Sequence, residues 1–561
     1  MGRRRPDCTR AVFSYRAACG VSGLISRRKN TQSLCCVPLR RRRKRETLLQ
    51  GLRLLFTGVK PCKRSRKFNC DKHLRCIWQG LKPCKSVAIL TKRDVEITLY
   101  KFFSLRPRTI KQMSWNKLLN PNKLGNRLHT PDSGRSAFHS DYDKIVFSGA
   151  FRRLAKKTQV HPLATNDHIH NRLTHSLEVS CVGRSLGARI GEKLHETGKL
   201  PTGISGTYIG DIVQAACIAH DIGNPPFGHT GEDAIRHWFE KEGAQYLTKL
   251  SESEKCDLTH FEGNAQGLRV LTTSEYHPYD GGMRLTYATL ASFIKYPWTS
   301  LPSTKDERPK NNKYGVFQSE LEIFDEIATQ VGLTQKGDHW YSRHPLVYLM
   351  EAADDFCYGL LDLEDGLEMG ILQWDEVFDI LRQVLTDSEI EKISPELTRF
   401  NVGRRPPLLR GKVIDAYISA AAETFIQNED LIMIGEPLDL ISLCPERIKC
   451  SVGAAKKLAK EKVFVHPRKI ELEIGSYNTI STLLEVMCEA AIEFAESPES
   501  NWSFKSKRVI DLIGRNTFQN LKDTTNPNYL SIMRIIDFIS GMTDNYATFL
   551  ARQFKGMGDV R

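Results

Sequence analysis

His220 and Asp221 stand side by side at the end of an apolar run, Ala216-Cys217-Ile218-Ala219, and the turn Gly223-Asn224-Pro225-Pro226 follows. His229 and Glu232 come next, three residues apart, a spacing that puts both side chains on one face of a helix. A purely structural helix has no need of two histidines and two acids around a Pro-Pro turn. An adjacent His-Asp pair offers one neutral nitrogen and one hard oxygen. A divalent metal that activates water takes three or four such ligands and keeps one position open. The stretch Ala216 to Glu232 therefore reads as half of a metal-dependent phosphohydrolase site, whose other half must lie elsewhere in the chain.

Two places can supply it. His175 lies near the start of an amphipathic helix, in which Leu173, Leu177, Cys181, Leu186 and Ile190 recur at helical spacing. Alone it would read as an ordinary packed or surface histidine; only company gives it a role. The later run Met350-Glu351-Ala352-Ala353-Asp354-Asp355-Phe356 continues to Tyr358 and Asp362. Asp354, Tyr358 and Asp362 fall at i, i+4 and i+8, on one helical stripe. Such a stripe is normally a wet face, but here its flanks are rich in Ala, Leu and Phe. His175 from an earlier helix and Asp354 from a later one can complete the set begun by His220 and Asp221.

The elements that must carry these residues are mostly helical. Helical pattern runs from Asp141 through Leu154 and ends near His161-Pro162. It returns over 173–194, over 207–220 and after Phe261-Glu262-Gly263-Asn264, then over 284–296 and 345–370. A Pro/Lys/Asn-rich loop covers 297–312. Beyond 375 the pattern stays helical to a last helix at Ser531–Gln553, except that Lys469-Ile470-Glu471-Leu472-Glu473-Ile474 alternates like a short strand. The fold class expected is all-α, a helical phosphohydrolase core over 113–375 with a helical C-terminal part over 376–561 packed on it, and at most a small β element. No Walker A motif or GxGxxG occurs, so P-loop and Rossmann nucleotide binding are unsupported.

Charge is placed unevenly along the 561 residues. The net charge is +16, yet residues 1–112 hold 30 of the 81 Lys+Arg and only 5 of the 65 Asp+Glu, a local balance of +25. The remainder carries −9. Eight of the 15 cysteines also precede residue 85, in spacings that match no paired CxxC zinc pattern. Residues 1–112 can be read as a basic nucleic-acid arm, as an organelle-targeting presequence, or as translated sequence outside the working protein. The third reading is favoured, because sustained periodicity is lacking and composition breaks sharply at Met113-Ser114-Trp115. The later cysteines, such as Cys217 and Cys357, read as reduced, buried thiols of an intracellular protein. No run approaches 18 consecutive apolar residues, so no membrane helix is expected.

From Met113 onward the chain resembles the bacterial-type deoxyguanosine triphosphate triphosphohydrolases of the HD-domain superfamily. The resemblance rests on RRLAKKTQV, RLTHSLEV, AHDIGNPPFGHTGE, HFEGNAQGLR, LTYATLASFIKYP, YLMEAADDFCYGLLDLED and RIIDFISGMTDNYA. It implies that His175, His220, Asp221 and Asp354 hold a divalent metal, Mg²⁺ or Mn²⁺. Asp355 is the rival to Asp354, which is preferred because the family places a tyrosine and an acid on its stripe. His229 and Glu232 would be the catalytic pair. Arg172 would face the α-phosphate, Gln159 and Asn264 would contact sugar or phosphate, Lys295 and Lys313 the phosphate tail, and Tyr358 with Asp362 the deoxyribose side. The activity implied is attack of a metal-activated water on the α-phosphorus of dGTP or another dNTP, releasing deoxynucleoside and inorganic triphosphate. The resemblance further suggests a cytoplasmic homo-oligomer, plausibly hexameric, and admits single-stranded DNA as a partner. Two alternatives stand beside it: another HD-type nucleotide phosphohydrolase, which would use the same ligands, and, in a different class, a nucleic-acid-binding protein with a sensory HD site.

Overall fold

A computed structural model describes residues 112–558, apart from 126–127, 129–133, 161–165, 167, 276–280 and 302–312. These all belong to the second of two units, Thr109–Arg561. The readings offered for residues 1–111, the turn at His161-Pro162 and most of the 297–312 loop lie outside the described residues.

Among the described residues the chain is all-α with one small β element, the antiparallel pair β1 (Gln335–Gly337) and β2 (Trp340–Tyr341). Eight helices frame the site: α1 (Arg172–Glu196), α2 (Thr207–Ala219), α3 (His229–Glu240), α4 (Gly263–Arg269), α5 (Val347–Glu368), α6 (Pro467–Glu496), α7 (Pro527–Ser540) and α8 (Asp544–Phe554). No described helix is long and apolar enough to cross a membrane.

The α1–α2 pair is the scaffold of the site. Asn171 caps α1 by accepting from the Leu173 and Thr174 amides, and Thr174 returns the bond, so a capping box sets where the helix starts. Gly183, Gly187 and Gly191 recur every four residues on its inner face. A Cβ at Gly191 would sit 2.0 Å from the Gly206 carbonyl oxygen, and one at Gly183 would sit 2.4 Å from Cys217 Sγ. This stripe lets the two backbones approach closely, which places the end of α2, and so His220, against the start of α1. Helix α5 packs on both and buries most of its length.

Two hydrophobic cores support this frame, and neither follows chain order. One gathers residues from Met113 to Val463; the other joins Phe227, α3 and α4 to Ile480 through Ala551. The start of the described chain is part of the first. Met113 and Trp115 are each 4% exposed, the Met113 amide donates to the Met433 carbonyl at 2.9 Å, and Trp115 Nε1 donates to Glu429 Oε1 at 3.0 Å.

Four local expectations are corrected. Lys469–Ile474 is not a strand: it lies in the first turns of α6, with Pro467 at the helix start. A strand needs a partner ladder, whereas a helix satisfies its own backbone, and Ile470 and Ile474 are exposed. The last helix is two, α7 and α8, separated at Gly541-Met542-Thr543, where Thr543 caps α8. The 284–296 helix shortens to Tyr287–Phe293, because Arg284 takes a positive φ of 51° and Ile294 turns extended, which leaves Lys295 and Tyr296 outside the helix. The helix around Asp141 covers Ala137–Phe147 and restarts at Gly149 behind the capping hydroxyl of Ser148.

Candidate active site

The HD pair is delivered by the end of α2. His220 is its C-cap residue, and the His220 Nδ1 lies 2.7 Å from the Cys217 carbonyl. A carbonyl only accepts, so Nδ1 carries the proton and Nε2 keeps its lone pair for a ligand. Gly223 then turns the chain with φ 103°, and a Cβ there would meet the Gly267 amide nitrogen at 2.2 Å. Only glycine lets this turn lie directly on α4.

His175, His220 and Asp221 offer ligand atoms that all lie within 4.8 Å of one another. Asp354 joins them: its Oδ1 is 3.2 Å from His175 Nε2 and 3.5 Å from His220 Nε2. Asp355 turns away to an ion pair with Lys456 at 2.6 Å. Asp221 Oδ1 accepts from Arg172 Nη1 at 2.5 Å and from Asn224 Nδ2 at 2.7 Å, while Asp221 Oδ2 is buried without a hydrogen-bond partner. An orphaned buried carboxylate oxygen facing two imidazole nitrogens is a poor arrangement without a cation. The donor set fits a divalent metal held by two imidazoles and two carboxylates. Burial alone would raise Asp354 and Asp221 and lower His175. Mutual attraction outweighs it: His220, the His175 hydrogen bond and Lys295 hold Asp354 far below the carboxylate range. Arg172 and the two histidines lower Asp221, and Asp354 raises His175. The pocket thus stabilises positive charge, which a metal supplies as well as a proton does.

A second group of side chains borders this cluster. A Cβ at Gly228, the residue before His229, would fall 2.5 Å from Arg172 Nη2. His229 begins α3, and its Nδ1 lies 2.8 Å from Glu232 Oε2. The other oxygen of Glu232 accepts from the Gly263 amide at 2.8 Å, so the acid is clamped at the start of α4. Burial disfavours the Glu232 charge, but His229, Lys313 and Arg236 hold its carboxyl well below the usual range. The turn before His229 is strained: Phe227, with φ 65°, donates its amide to the buried Asp544 of α8 at 2.9 Å.

The remaining expected residues are placed as follows. Lys295 lies 3.6 Å from Glu351 and 3.9 Å from Asp354. Lys313 and Asn264 both meet Glu262, at 2.8 and 2.7 Å. Tyr358 stacks edge-on against Phe464 at 6.0 Å. Asp362 is 2% exposed, its Oδ2 has no hydrogen-bond partner among the described residues, and burial lifts its carboxyl to about 8. Gln159 Oε1 and Arg172 Nε are likewise buried and unpartnered. The residue before Gln159, Thr158, bonds Asp544 through its amide at 2.9 Å. Sequence reasoning overlooked Asn224, Arg236, Glu262 and Asp544. Asn224, Glu262 and Asp544 sit inside quoted motifs and Arg236 lies four residues beyond one; none carried a distinct spacing signal. Asp544 lies 317 residues from its partner Phe227, a distance that no local pattern spans.

The HD domain family model matches residues 172–294, which hold three of the four clustered residues together with His229 and Glu232. A deoxyguanosinetriphosphate triphosphohydrolase-like protein of Pseudomonas aeruginosa is 49% identical over 447 residues, covering 79% of this chain and 99% of the relative. A protein of the same description from Synechocystis is 39% identical over 456 residues, again covering 79% of this chain and all of the relative. The deoxyguanosinetriphosphate triphosphohydrolase of Salmonella enteritidis is 31% identical over 479 residues, covering 73% of this chain and 92% of the relative. With its clustered His and Asp side chains on α1, α2 and α5 and relatives matched over nearly their whole length, this chain belongs to the HD-domain deoxyguanosine triphosphate triphosphohydrolase family.

Proposed function

We propose that this phosphohydrolase cleaves a deoxynucleoside triphosphate, dGTP first among them, into deoxynucleoside and inorganic triphosphate. The observation that carries the reading is the His229–Glu232 pair, held at 2.8 Å beside the His/Asp cluster by the Gly228–Arg172 and Glu232–Gly263 contacts. A metal alone would serve many hydrolytic reactions; an oriented histidine poised to protonate a leaving oxygen helps most where that oxygen is a basic alkoxide, as the 5′ oxygen of a nucleoside is.

His175, His220, Asp221 and Asp354 would hold the divalent cation, Mg²⁺ or Mn²⁺. When bound, it would supply Lewis acidity toward the α-phosphate and a water acidic enough to attack near neutral pH. Arg172 is fixed by Asp221 through Nη1 and keeps Nε for a phosphate oxygen. Lys295 and Lys313 offset charge that builds on the phosphates. Glu232 accepts from His229 Nδ1 and fixes the ring, so Nε2 can give a proton to the departing 5′ oxygen. Gln159 and Asn264 would bind sugar or phosphate, and Tyr358 and Asp362 would border the deoxyribose. A cytoplasmic homo-oligomer belongs to the same proposal, supported by family membership alone.

The test is to incubate the protein with dGTP and either metal and to identify the phosphorus product by ³¹P NMR. Inorganic triphosphate supports the reading. Orthophosphate or pyrophosphate would make this an HD phosphohydrolase of another type, and no turnover of any dNTP would overturn it.

A further inference from the structure

Glu262 is fully buried at the start of α4, and it occupies two of the groups that the proposed reaction assigns to substrate. Its Oε1 accepts from Asn264 Nδ2 at 2.7 Å and from Lys313 Nζ at 3.0 Å, and its Oε2 lies 2.8 Å from the same ammonium. Glu232 shares this lysine and also Arg236. Lys313 Nζ is 3.8 Å from Glu232 Oε2, and Arg236 Nη2 is 3.6 Å from Glu232 and 3.4 Å from Glu262. The two buried carboxylates thus share one lysine and one arginine, and Glu232 alone has His229 besides. Arg236 is also tied to the Phe261 carbonyl at 2.7 Å and to Asp233 at 2.8 Å, so Lys313 is the movable partner.

We propose that Glu262 is a positioning residue that holds Lys313 and Asn264 in the substrate-free protein and releases them to a polyphosphate by taking up one proton from solvent. The proposal rests on the reading that the site binds a nucleoside triphosphate with its tail toward Lys313. When a polyanion draws Lys313 away, Glu262 and Glu232 are left to share Arg236. Two like charges with one counterion in a buried site cannot both remain ionised cheaply, and one carboxylate protonates. Glu232 keeps its charge because His229 and the Gly263 amide bind it. Glu262 is left with Arg236 at 3.4 Å, which it shares with Glu232, and with Asn264 until the substrate takes it. Burial and the neighbouring Glu232 already push its carboxyl above the ordinary Glu range, against the pull of Lys313. Among the described residues the Tyr296 and Tyr314 hydroxyls also sense it, both raised by burial and neutral at physiological pH. Protonated, Glu262 no longer attracts the ammonium, and its new O–H can donate to a phosphate oxygen.

The experiment is calorimetric titration of the holoprotein, with Mg²⁺ present, by an α,β-imido analogue of dGTP in buffers of different ionisation enthalpy. Comparison between variants cancels the proton exchange of the ligand itself. Wild type should take up as much as one more proton per ligand than Glu262→Gln. Its affinity should weaken with rising pH, by up to tenfold per unit, while that of Glu262→Gln stays flat. Because Glu262 is buried, Lys313→Met is a second variant that leaves the carboxylate in place. It should bind the analogue more weakly, and the extra proton uptake should vanish, since Glu262 is then protonated beforehand. Equal proton uptake in wild type and both variants would overturn the proposal alone. Failure of wild type to bind the analogue would overturn the triphosphate reading and the proposal with it.

Discussion

His175 Nε2 and Asp354 Oδ1 lie 3.2 Å apart although 179 residues separate them, so this contact joins α1 to α5 at the point where His220 arrives from α2. Helices α1 and α5 and the residues that cap and follow α2 each contribute at least one group to a single cluster. Removal of one should therefore undo the whole. His220→Ala and Asp221→Ala are expected to lose bound metal and turnover together, because metal affinity depends on the full ligand count. Asp354→Asn should behave the same way, and Asp355→Asn, whose carboxylate pairs with Lys456 instead, should keep both. Metal content by elemental analysis beside kcat decides it; full activity with retained metal in the His220 variant would refute the assignment.

The proposed catalytic pair should separate from the proposed ligands. His229 is 77% exposed over a Glu232 side chain that is 2% exposed, so truncating the histidine leaves no cavity. His229→Ala is expected to keep near-normal metal content and melting temperature while kcat falls by about 10²–10⁴, the usual scale of acid–base help. Loss of metal in this variant would place His229 among the ligands.

Gly223→Ala tests the turn after the HD pair. The substitution forces a side chain into φ 103° and drives its Cβ to 2.2 Å from the Gly267 amide. Backbone cannot yield as a flexible side chain does, so a loss of at least about 2 kcal/mol of stability is expected from strain and overpacking together. The readout is the melting temperature of the metal-free protein; an unchanged value would show that the α4 contact is not tight.

His344 predicts an acid limb in stability. It is 1% exposed, its Nδ1 accepts from the Leu346 amide at 3.2 Å, and its Nε2 faces the Leu118 carbonyl at 3.2 Å, an arrangement suited to the neutral ring. Burial lowers its pKa from 6.5 to about 4. Above 6.5 neither state is protonated and the group has no effect. Between 6.5 and 4 the unfolded chain binds a proton that the folded ring refuses, so stability falls as pH falls, by up to about 3 kcal/mol. His344→Gln should flatten this part of the curve. Melting temperatures of both proteins at pH 7.5 and 4.5 measure it, and parallel curves would contradict the assignment.

Met113 marks the last test. We propose that residues 1–112 take no part in fold or catalysis, and a chain beginning at Met113 should match the full chain in kcat/KM and melting temperature. A chain beginning at Asn120 should not. It lacks the buried Trp115 with its Glu429 bond and the fully buried Leu118, losses worth about 3–5 kcal/mol for the tryptophan alone. A large loss of either quantity on starting at Met113 would show that the preceding segment works with the rest.

The helical class of this protein and the residues of its candidate site were legible in the chain itself. Periodicity placed the α1, α2 and α5 helices, and His175, the His220-Asp221 pair, His229 with Glu232, and the Asp354 stripe stood out by type and spacing. These are local signals: a helix repeats every 3.6 residues and an adjacent pair needs no partner to be noticed. Other features emerged only in three dimensions. Asp354 and Asp355 are equivalent as letters, and it is the packing of α5 that turns one to His175 and the other to Lys456. The alternation at Lys469–Ile474 misled because alternation signals a strand only where a neighbouring strand exists to pair with it. Glu262 gained its place between Lys313, Asn264 and Arg236 from contacts up to 51 residues apart, and Asp544 reached Phe227 across 317. Such contacts depend on how helices stack, and the free energy that selects the stacking is spread over two cores rather than written in any one segment.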